Sequence, residues 1–325
     1  MLNLNQLRTF YQVAKSLNFS VAAENLFVSQ PAVTKQIKNF DEFCNLKLFR
    51  KKRAKVYLTD EGKKIFIYAS RIFELERQLE DTISGLQNLK RGSLRMGTTK
   101  TYARYFMPVL FTPFQKSFPD IIIELDEGSS LDMSRSLLDF KNSLAIVAKV
   151  EENPDILFIP LLLEEVVLIV APNHHLAKKN KIRFRDLNEE SIIMKEIGSG
   201  TRDLVERYAR SEKIRLTVVA QTSNMEFIKQ LVKQEQAVSF VVRSSVEAEL
   251  SKGELISVPV RPQNLFLKIF IAYLRDYELP YAARAFLDYL LSFTHPKNLS
   301  VGVDPFVKKI ETMGSKKHQQ IFRRL

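Results

Sequence analysis

Residues Phe19 to Phe40 read FSVAAENLFVSQPAVTKQIKNF, and this stretch narrows the possible folds more than any other. It holds two short helical patterns with almost nothing between them. Ser20 is placed to cap a first helix that carries Ala22, Ala23 and Leu26. Ser29 is placed to cap a second, with Pro31 in its first turn, where a missing N–H is harmless. Val33, Ile37 and Phe40 recur at three- and four-residue steps and mark a buried face. Thr34, Lys35 and Lys38 point elsewhere. Two such helices at a steep angle, the second showing small polar and basic groups, predict a helix-turn-helix whose second helix fits a DNA major groove. A plain helical hairpin with solvated lysines competes on pattern alone, so the surroundings decide.

Upstream, Leu4, Leu7, Phe10, Val13, Ala14 and Leu17 have helical spacing and supply a supporting helix. Downstream, Phe43, Leu46, Leu48 and Phe49 add core. Asn45 lies where a helix must end, and Asn tolerates the left-handed conformation there. Arg50 to Lys55 is then five bases in six residues, followed by strand-like Val56 to Thr59. A basic loop leading into a strand is the wing of a winged helix, able to touch phosphates or the minor groove.

Charge is placed as this reading requires. The 325 residues carry a net charge of +12, with a pI near 9.6, which fits a polyanionic partner. Residues 1–58 hold ten basic and three acidic side chains, and residues 296–325 hold seven and two. Those two ends account for the whole excess, so residues 59–295 are neutral as a block. A merely soluble basic protein would spread its charge. The lone cysteine, Cys44, excludes an intrachain disulfide and suits a reducing compartment; it reads as a core residue. Leu2 to Phe10 is polar and periodic, unlike a signal peptide. The most apolar run, Ile156 to Pro172, is broken by Pro160 and the Glu164–Glu165 pair, so no membrane span is expected. Four scattered histidines and one cysteine show no metal-ligand spacing, and no metal site is expected.

Thr59 is placed to cap a long helix over about 59–89. Ile65, Tyr68, Ile72, Leu75, Leu79, Thr82, Leu86 and Leu89 hold one heptad register. A stripe that long exceeds what a 58-residue head can cover, which predicts pairing with a second copy through Ile65, Ile72, Leu75, Leu79 and Leu86. An intramolecular packing helix is the alternative. Two heads related by a two-fold would read two half-sites.

Lys90 to Ser93 break the pattern, and strands and helices then alternate. Strands are expected at Leu94–Gly97, Ile121–Leu125, Leu144–Val147, Leu157–Leu162, Val166–Ala171, Ile192–Met194, Leu216–Ala220, Val238–Val242, Leu255–Val258 and Phe266–Ala272. Helices are expected at Tyr105–Phe118, Met133–Phe140, Gly198–Glu212, Phe227–Val232, Val246–Leu250 and Ala282–Phe293. This is an open α/β arrangement, and some 200 residues suit two lobes with a cleft between them. Ligands of such sheets bind beyond the carboxyl ends of the strands. Two segments there have fitting chemistry: Thr98-Thr99-Lys100-Thr101 and Gly198-Ser199-Gly200-Thr201-Arg202. Glycines let the backbone approach, helix N-termini offer free N–H groups, Ser and Thr add donors, and Arg adds a cation. A carboxylate, phosphate or sulfate fits Thr98, Thr99, Thr101, Ser199, Gly200, Thr201 and Arg202. Ordinary N-capping would also explain each segment alone. GSGTR is no Walker loop, because the Lys-Ser/Thr pair is missing. No nucleophile–base pair or close carboxylate pair is visible, so no catalytic residue is expected.

Residues 2–295 resemble the LysR-type transcriptional regulators. The resemblance rests on Leu7, Phe10, Phe19-Ser20, Ala22-Ala23, Leu26, Ser29-Gln30-Pro31-Ala32-Val33, Ile37, Leu48-Phe49, Leu58-Thr59 and Gly62. Weaker matches follow at Met107-Pro108, Phe114, Phe118-Pro119, His174 to Ala177 and Gly198 to Arg202, the last similar to the branch with carbon-fixation and sulfur-assimilation regulators. It implies a multi-domain chain: an all-α winged helix-turn-helix (1–58), a dimerising linker helix (59–89) and a two-lobed, periplasmic-binding-protein-like α/β effector domain (90–295). Lobe I would span about 93–162 and 266–293, and lobe II about 163–265. A basic tail, 296–325, lies outside the pattern. The partners implied are double-stranded promoter DNA, a second copy in dimers or in tetramers built as dimers of dimers, and RNA polymerase. A small anionic effector would bind between the lobes, no other cofactor is expected, and the location implied is cytoplasmic. By position, Ser29, Gln30, Pro31, Thr34, Lys35 and Lys38 would face DNA from the recognition helix, and Arg50, Lys51 and Arg53 from the wing. Thr34 replaces a usual Ser, Asn45 a usual Gly, and His175 the Pro of His-Pro-Leu. Glu235 and Ala237 stand where a Gly-x-Gly turn is usual, which would put a carboxylate near the cleft. An α/β binding protein or enzyme with an N-terminal assembly segment is the alternative.

Overall fold

Three helices open the chain: α1 (Leu4–Ser16), α2 (Phe19–Asn25) and α3 (Gln30–Cys44). The computed structural model describes residues 1–52, 55–88, 92–261, 265–293, 299–303 and 305–306. Contacts divide the chain into two units, Met1–Ile83 and Ser84–Leu325.

In the first unit α2 is capped by Asn18, whose Oδ1 accepts the Ser20 and Val21 N–H groups. Ser20, expected as the cap, lies inside the helix, because Asn18 is the residue with extended backbone. Ser29 caps α3 and Pro31 occupies its first turn. Asn45 ends α3 at φ +50°. Phe10 touches Phe40 and Phe49, and with Val13, Ala22, Val33, Ile37 and Leu48 it forms the core of the head. A hairpin of β1 (Phe49–Lys52) and β2 (Lys55–Leu58) follows, so the basic run lies on strands as well as at their turn. Asp41 accepts the Leu48 N–H and pairs with Lys47, pinning α3 to the base of the hairpin.

Helix α4 (Asp60–Asn88) begins after Thr59, whose Oγ1 accepts the Gly62 N–H. Its 29 residues span about 43 Å. A Cβ at Gly62 would lie 2.3 Å from the Leu48 carbonyl oxygen. Alanine ordinarily favours a helix over glycine, but here a backbone atom blocks it. Gly62→Ala is therefore expected to destabilise the head by about 1–3 kcal/mol; a denaturation midpoint at or above wild type would remove this reason for the glycine.

The heptad expectation needs correction. Ile65 and Ile72 pack, with Phe66, Ala69 and Phe73, against the head's own core, where Tyr11 stacks on Phe66 and Arg8 lies over Phe73. The outward stripe consists of Tyr68, Leu75, Leu79 and Ile83, all largely exposed. The side chains of Thr82 and Leu86, and Leu89 entirely, lie outside the described residues. A heptad register marks apolar positions without saying which molecule covers them.

The second unit contains β3 (Gly92–Thr99), α5 (Lys100–Tyr105), α6 (Met107–Ser117), β4 (Ile121–Gly128), α7 (Ser130–Leu138), β5 (Leu144–Ala148), β6 (Ile156–Val170), β7 (Ile182–Arg183), β8 (Ser191–Lys195), α8 (Gly200–Ser211) and β9 (Thr217–Thr222). It continues with α9 (Met225–Lys233), β10 (Val238–Val242), α10 (Glu247–Ser251), β11 (Ile256–Val258), β12 (Val260–Arg261), β13 (Leu265–Leu274), α11 (Tyr281–Leu291) and β14 (Ser300–Val301). One sheet runs β4-β3-β5-β13-β6-β10-β8-β9, with β11 and β14 also paired to β6. The β3, β4 and β5 end forms lobe I, the β8, β9 and β10 end lobe II, and β6 and β13 run through both.

Two differences from the sequence expectation have physical causes. The helix expected over Tyr105–Phe118 starts only at Met107, with Phe106 separating it from α5, because Pro108 has no N–H to donate to the preceding turn and its ring crowds the carbonyl four residues back. The two strands expected at Leu157–Leu162 and Val166–Ala171 are one, because Leu163 to Glu165 between them keep pairing with β13. Its pairing with β13 shifts register between Ile269 and Phe270, opposite Pro160 to Leu162, and a proline is tolerated at such a bulge. The start of the tail is docked: Ser300–Val301 pair with β6, Gly302 N–H donates to Leu163, and Phe306 is buried against Phe106. Val307 and Ile310 lie outside the described residues.

Candidate functional site

On the head, α3 and the hairpin enclose an open groove of about 1060 Å3, lined among others by Gln30, Thr34, Lys38, Lys55 and Tyr57. Gln30 and Thr34 share one outward face, with Thr34 Oγ1 donating to the Gln30 carbonyl and accepting from Gln30 Nε2. Pro31 and Lys35 are exposed beside them, as are Ser29 at the cap and Arg50 on β1. Lys38 makes only a 3.8 Å exposed contact with Glu42, so its charge stays available. The Lys51 side chain and Arg53 lie outside the described residues. Tyr57 was missed in sequence, and Lys55 was read only as part of the basic run, because alternation alone does not tell which side of a two-stranded hairpin faces the helix.

In the second unit the cleft lies between β3–α5 and α7 of lobe I and β8–α8 of lobe II. Thr99, Lys100, Thr101, Ser130, Ala148, Lys195, Ser199, Gly200 and Thr201 line it. The space they leave is about 30 Å3, room for a water or two. The lobes touch here: Leu131 N–H donates to the Gly198 carbonyl, and a Cβ at Gly200 would lie 2.3 Å from Ala148 Cβ. Gly198 itself sits at φ +86°, which only glycine adopts without strain. Ser199 makes no side-chain capping bond, so its buried hydroxyl is not committed to the helix end.

Two expected cleft residues point elsewhere. Thr98 is fully buried and donates to the Ile146 carbonyl. Arg202 turns along its own helix to Glu206 and to Gln221, and donates to the Lys195 carbonyl, so it positions Lys195 from behind. Helical spacing, one residue past Thr201, carries it off the lobe-facing side. Glu235 does not line the cleft either. It adopts φ +59°, the backbone a glycine would favour, in the turn after α9, and its charge acts on His174.

Lys195 is the group that sequence reading missed. It ends β8 where ligands of such sheets gather, but it falls in the gap between an obvious strand and an obvious glycine loop. Its ammonium is buried, donating to the Ser223 carbonyl at 3.1 Å and lying 3.5 Å from Glu196. Burial pushes its pKa below the usual lysine range, the Glu196 carboxylate opposes that, and Lys100 adds to it. Lys100, from lobe I, donates to Ser223 Oγ of lobe II at 2.9 Å. Two cations thus converge beside the N-terminus of α8, an arrangement that favours an anion.

Comparison with known proteins settles what kind of chain this is. Residues 4–63 match the family "Bacterial regulatory helix-turn-helix protein, lysR family", and residues 87–294 match "LysR substrate binding domain". The chain belongs to the LysR family of transcriptional regulators. It combines a helix-turn-helix DNA-binding domain with a two-lobed ligand-binding domain. The transcriptional activator CmpR of Synechocystis is 32% identical over 92% of this chain and 97% of its own length. The RuBisCO operon transcriptional regulator of Allochromatium vinosum is 30% identical over 89% and 96%. The regulatory domain of Synechocystis CcmR, solved in complex with 2-PG, superimposes with a TM-score of 0.59 at 27% identity, over 65% of this chain and 100% of that one. These relatives are regulators, so the LysR assignment displaces the enzyme alternative. Among the described residues no helix is long and apolar enough to cross a membrane.

Proposed function

We propose that this LysR-family regulator responds to a small anion of the carboxylate, phosphate or sulfate class bound between its lobes by Lys195, Lys100 and the Ser199-Gly200-Thr201 turn. The observation that carries this is the buried Lys195 ammonium beside the α8 N-terminus and a second lysine. Glu196 offsets part of the cost of burying that cation, and an anion in the cleft would add a further countercharge for it and for Lys100. That CcmR was solved with 2-PG supports the same ligand class. The space between the lobes is about 30 Å3, so a larger anion would be held there with the lobes further apart. β6 and β13, continuous through both lobes, are the elements that would flex.

The head, in this reading, holds promoter DNA with Gln30, Thr34, Lys35 and Lys38 in the major groove and Arg50, Lys51 and Arg53 on phosphates from the wing. Tyr68, Leu75, Leu79 and Ile83 offer the surface on which a second copy pairs, in dimers or dimers of dimers. The boundaries follow the sequence reading: head 1–58, linker helix 59–89, effector domain 90–295 and basic tail 296–325. Contact with RNA polymerase and a cytoplasmic location go with the regulatory role.

The test of the cleft is calorimetric titration of the full-length protein with 2-phosphoglycolate, 2-phosphoglycerate, phosphate and sulfate. At least one should bind at one site per chain, and Lys195→Met should weaken it by about tenfold or more, the loss of one charged hydrogen bond. Affinity should also fall as pH rises through the lowered pKa of free Lys195, because the anion holds that lysine protonated. Equal affinity in wild type and Lys195→Met would remove the lysine from the site.

A further inference from the structure

The fold gathers two of the scattered histidines against one carboxylate, at the end of lobe II opposite the cleft. His174 and His175 follow β6, and Glu190 immediately precedes β8. The two strands flank β10, β6 antiparallel and β8 parallel to it, so the end of β6 and the start of β8 lie together. His175 Nε2 is 2.9 Å from Glu190 Oε1, and His174 Nε2 is 3.5 Å from Glu190 Oε2. The two rings are 4.5 Å apart. One ligand atom from each of the three residues lies within 4.8 Å of the others, and among the described residues no other trio of His, Cys, Asp or Glu is gathered in this way.

From these distances we propose that His174, His175 and Glu190 form a binding site for a borderline divalent cation, with Zn2+ the best match. Two imidazoles and a carboxylate suit zinc, which takes nitrogen and oxygen ligands at about 2.0–2.2 Å, better than calcium or magnesium, which prefer oxygen alone. Glu190 and His174 are nearly buried and form a fixed wall, with side chains 10% and 13% exposed. His175 is 62% exposed and closes the site from the solvent side, leaving a fourth position for water. The Leu176 N–H donates to His174 Nδ1 at 3.3 Å and aims Nε2 at Glu190. When zinc takes Nε2, the imidazole proton moves to Nδ1 and that long bond is lost, while Glu190 exchanges its histidine N–H donors for the cation. The site belongs to this chain rather than to the general pattern, since His175 stands where proline is usual. It ties the exit of β6 to the start of β8 and would stiffen lobe II independently of the effector.

The experiment is Zn2+ titration of the full-length, chelator-stripped protein in competition with a chromophoric zinc chelator, paired with long-range 1H–15N spectra of the imidazoles. One Zn2+ per chain is expected, with the resonances of two histidines shifting. His175→Asn and Glu190→Gln should each weaken binding at least about tenfold, since even residues behind the ligands contribute that much to zinc sites. His295→Asn with His318→Asn, the chain's other two histidines, should leave it unchanged. Should Glu190→Gln fail to fold, the exposed His175→Asn still decides. No stoichiometric uptake, uptake indifferent to His175→Asn, or uptake abolished by the His295/His318 pair would each overturn the proposal.

Discussion

Gly200→Ala is expected to wedge the lobes apart and abolish effector binding while leaving the head able to bind DNA. The added methyl would sit 2.3 Å from Ala148 Cβ, far inside contact distance. Ala148 ends a central, fully buried strand and cannot retreat, so α8 must move. Overpacking of this kind costs about 1–3 kcal/mol, roughly 2–12 °C in the melting temperature of a domain this size. The larger consequence is geometric. Ser199, Thr201 and Lys195 on one lobe would no longer face Thr99, Lys100 and Ser130 on the other. The double variant Ala148→Gly with Gly200→Ala removes the opposing methyl and should recover both stability and binding. If it does not, the close approach of these two positions is not what closes the cleft.

Lys35→Ala combined with Arg50→Ala should weaken promoter binding and flatten its dependence on salt. Both side chains are exposed, so folding should be unaffected. The lost Arg50 phosphate contact removes about 0.9 from the slope of log affinity against log salt, so the double variant should lose about 1. At about 1 kcal/mol net for each contact, affinity at fixed salt should fall about thirtyfold. Fluorescence anisotropy across a salt series measures both quantities, and an unaltered slope would place Arg50 away from the DNA backbone.

Much of the molecule could be read before any coordinates. The helix-turn-helix showed itself because a buried stripe, a cap and a first-turn proline coincide within Ser29 to Phe40. The alternation of the second unit was visible because buried β-branched runs such as Val238 to Val242 are too short for helices. Legibility ended where tertiary context chooses between locally equal options. Asn18 and Ser20 both cap well, and backbone geometry selected Asn18. Ile65 and Ile72 share a register with Leu75 and Leu79, yet the first pair packs on the head and the second is exposed. Pro160 punctuates the sequence but only bulges the strand. The cleft segments were found by composition, which brought in Thr98 and Arg202 with the rest, because a residue's neighbours in sequence do not tell which way it faces. Lys195 and Glu190 carry no local signal at all. Each acquires meaning only from groups that the fold brings from far along the chain: Lys100 and Ser223 for one, the histidine pair for the other.

The most direct measurement is promoter binding by the full-length protein with and without saturating anion, for wild type and Lys195→Met, using a duplex recovered by mapping the protein on its own genome. In wild type the anion should shift the half-saturation point or the DNA bend while leaving the salt slope unchanged, since the head's phosphate contacts are not touched. In Lys195→Met that response should vanish, with anion-free DNA binding intact. An identical anion response in both proteins would contradict the proposed coupling between a cationic head and an anion held at Lys195.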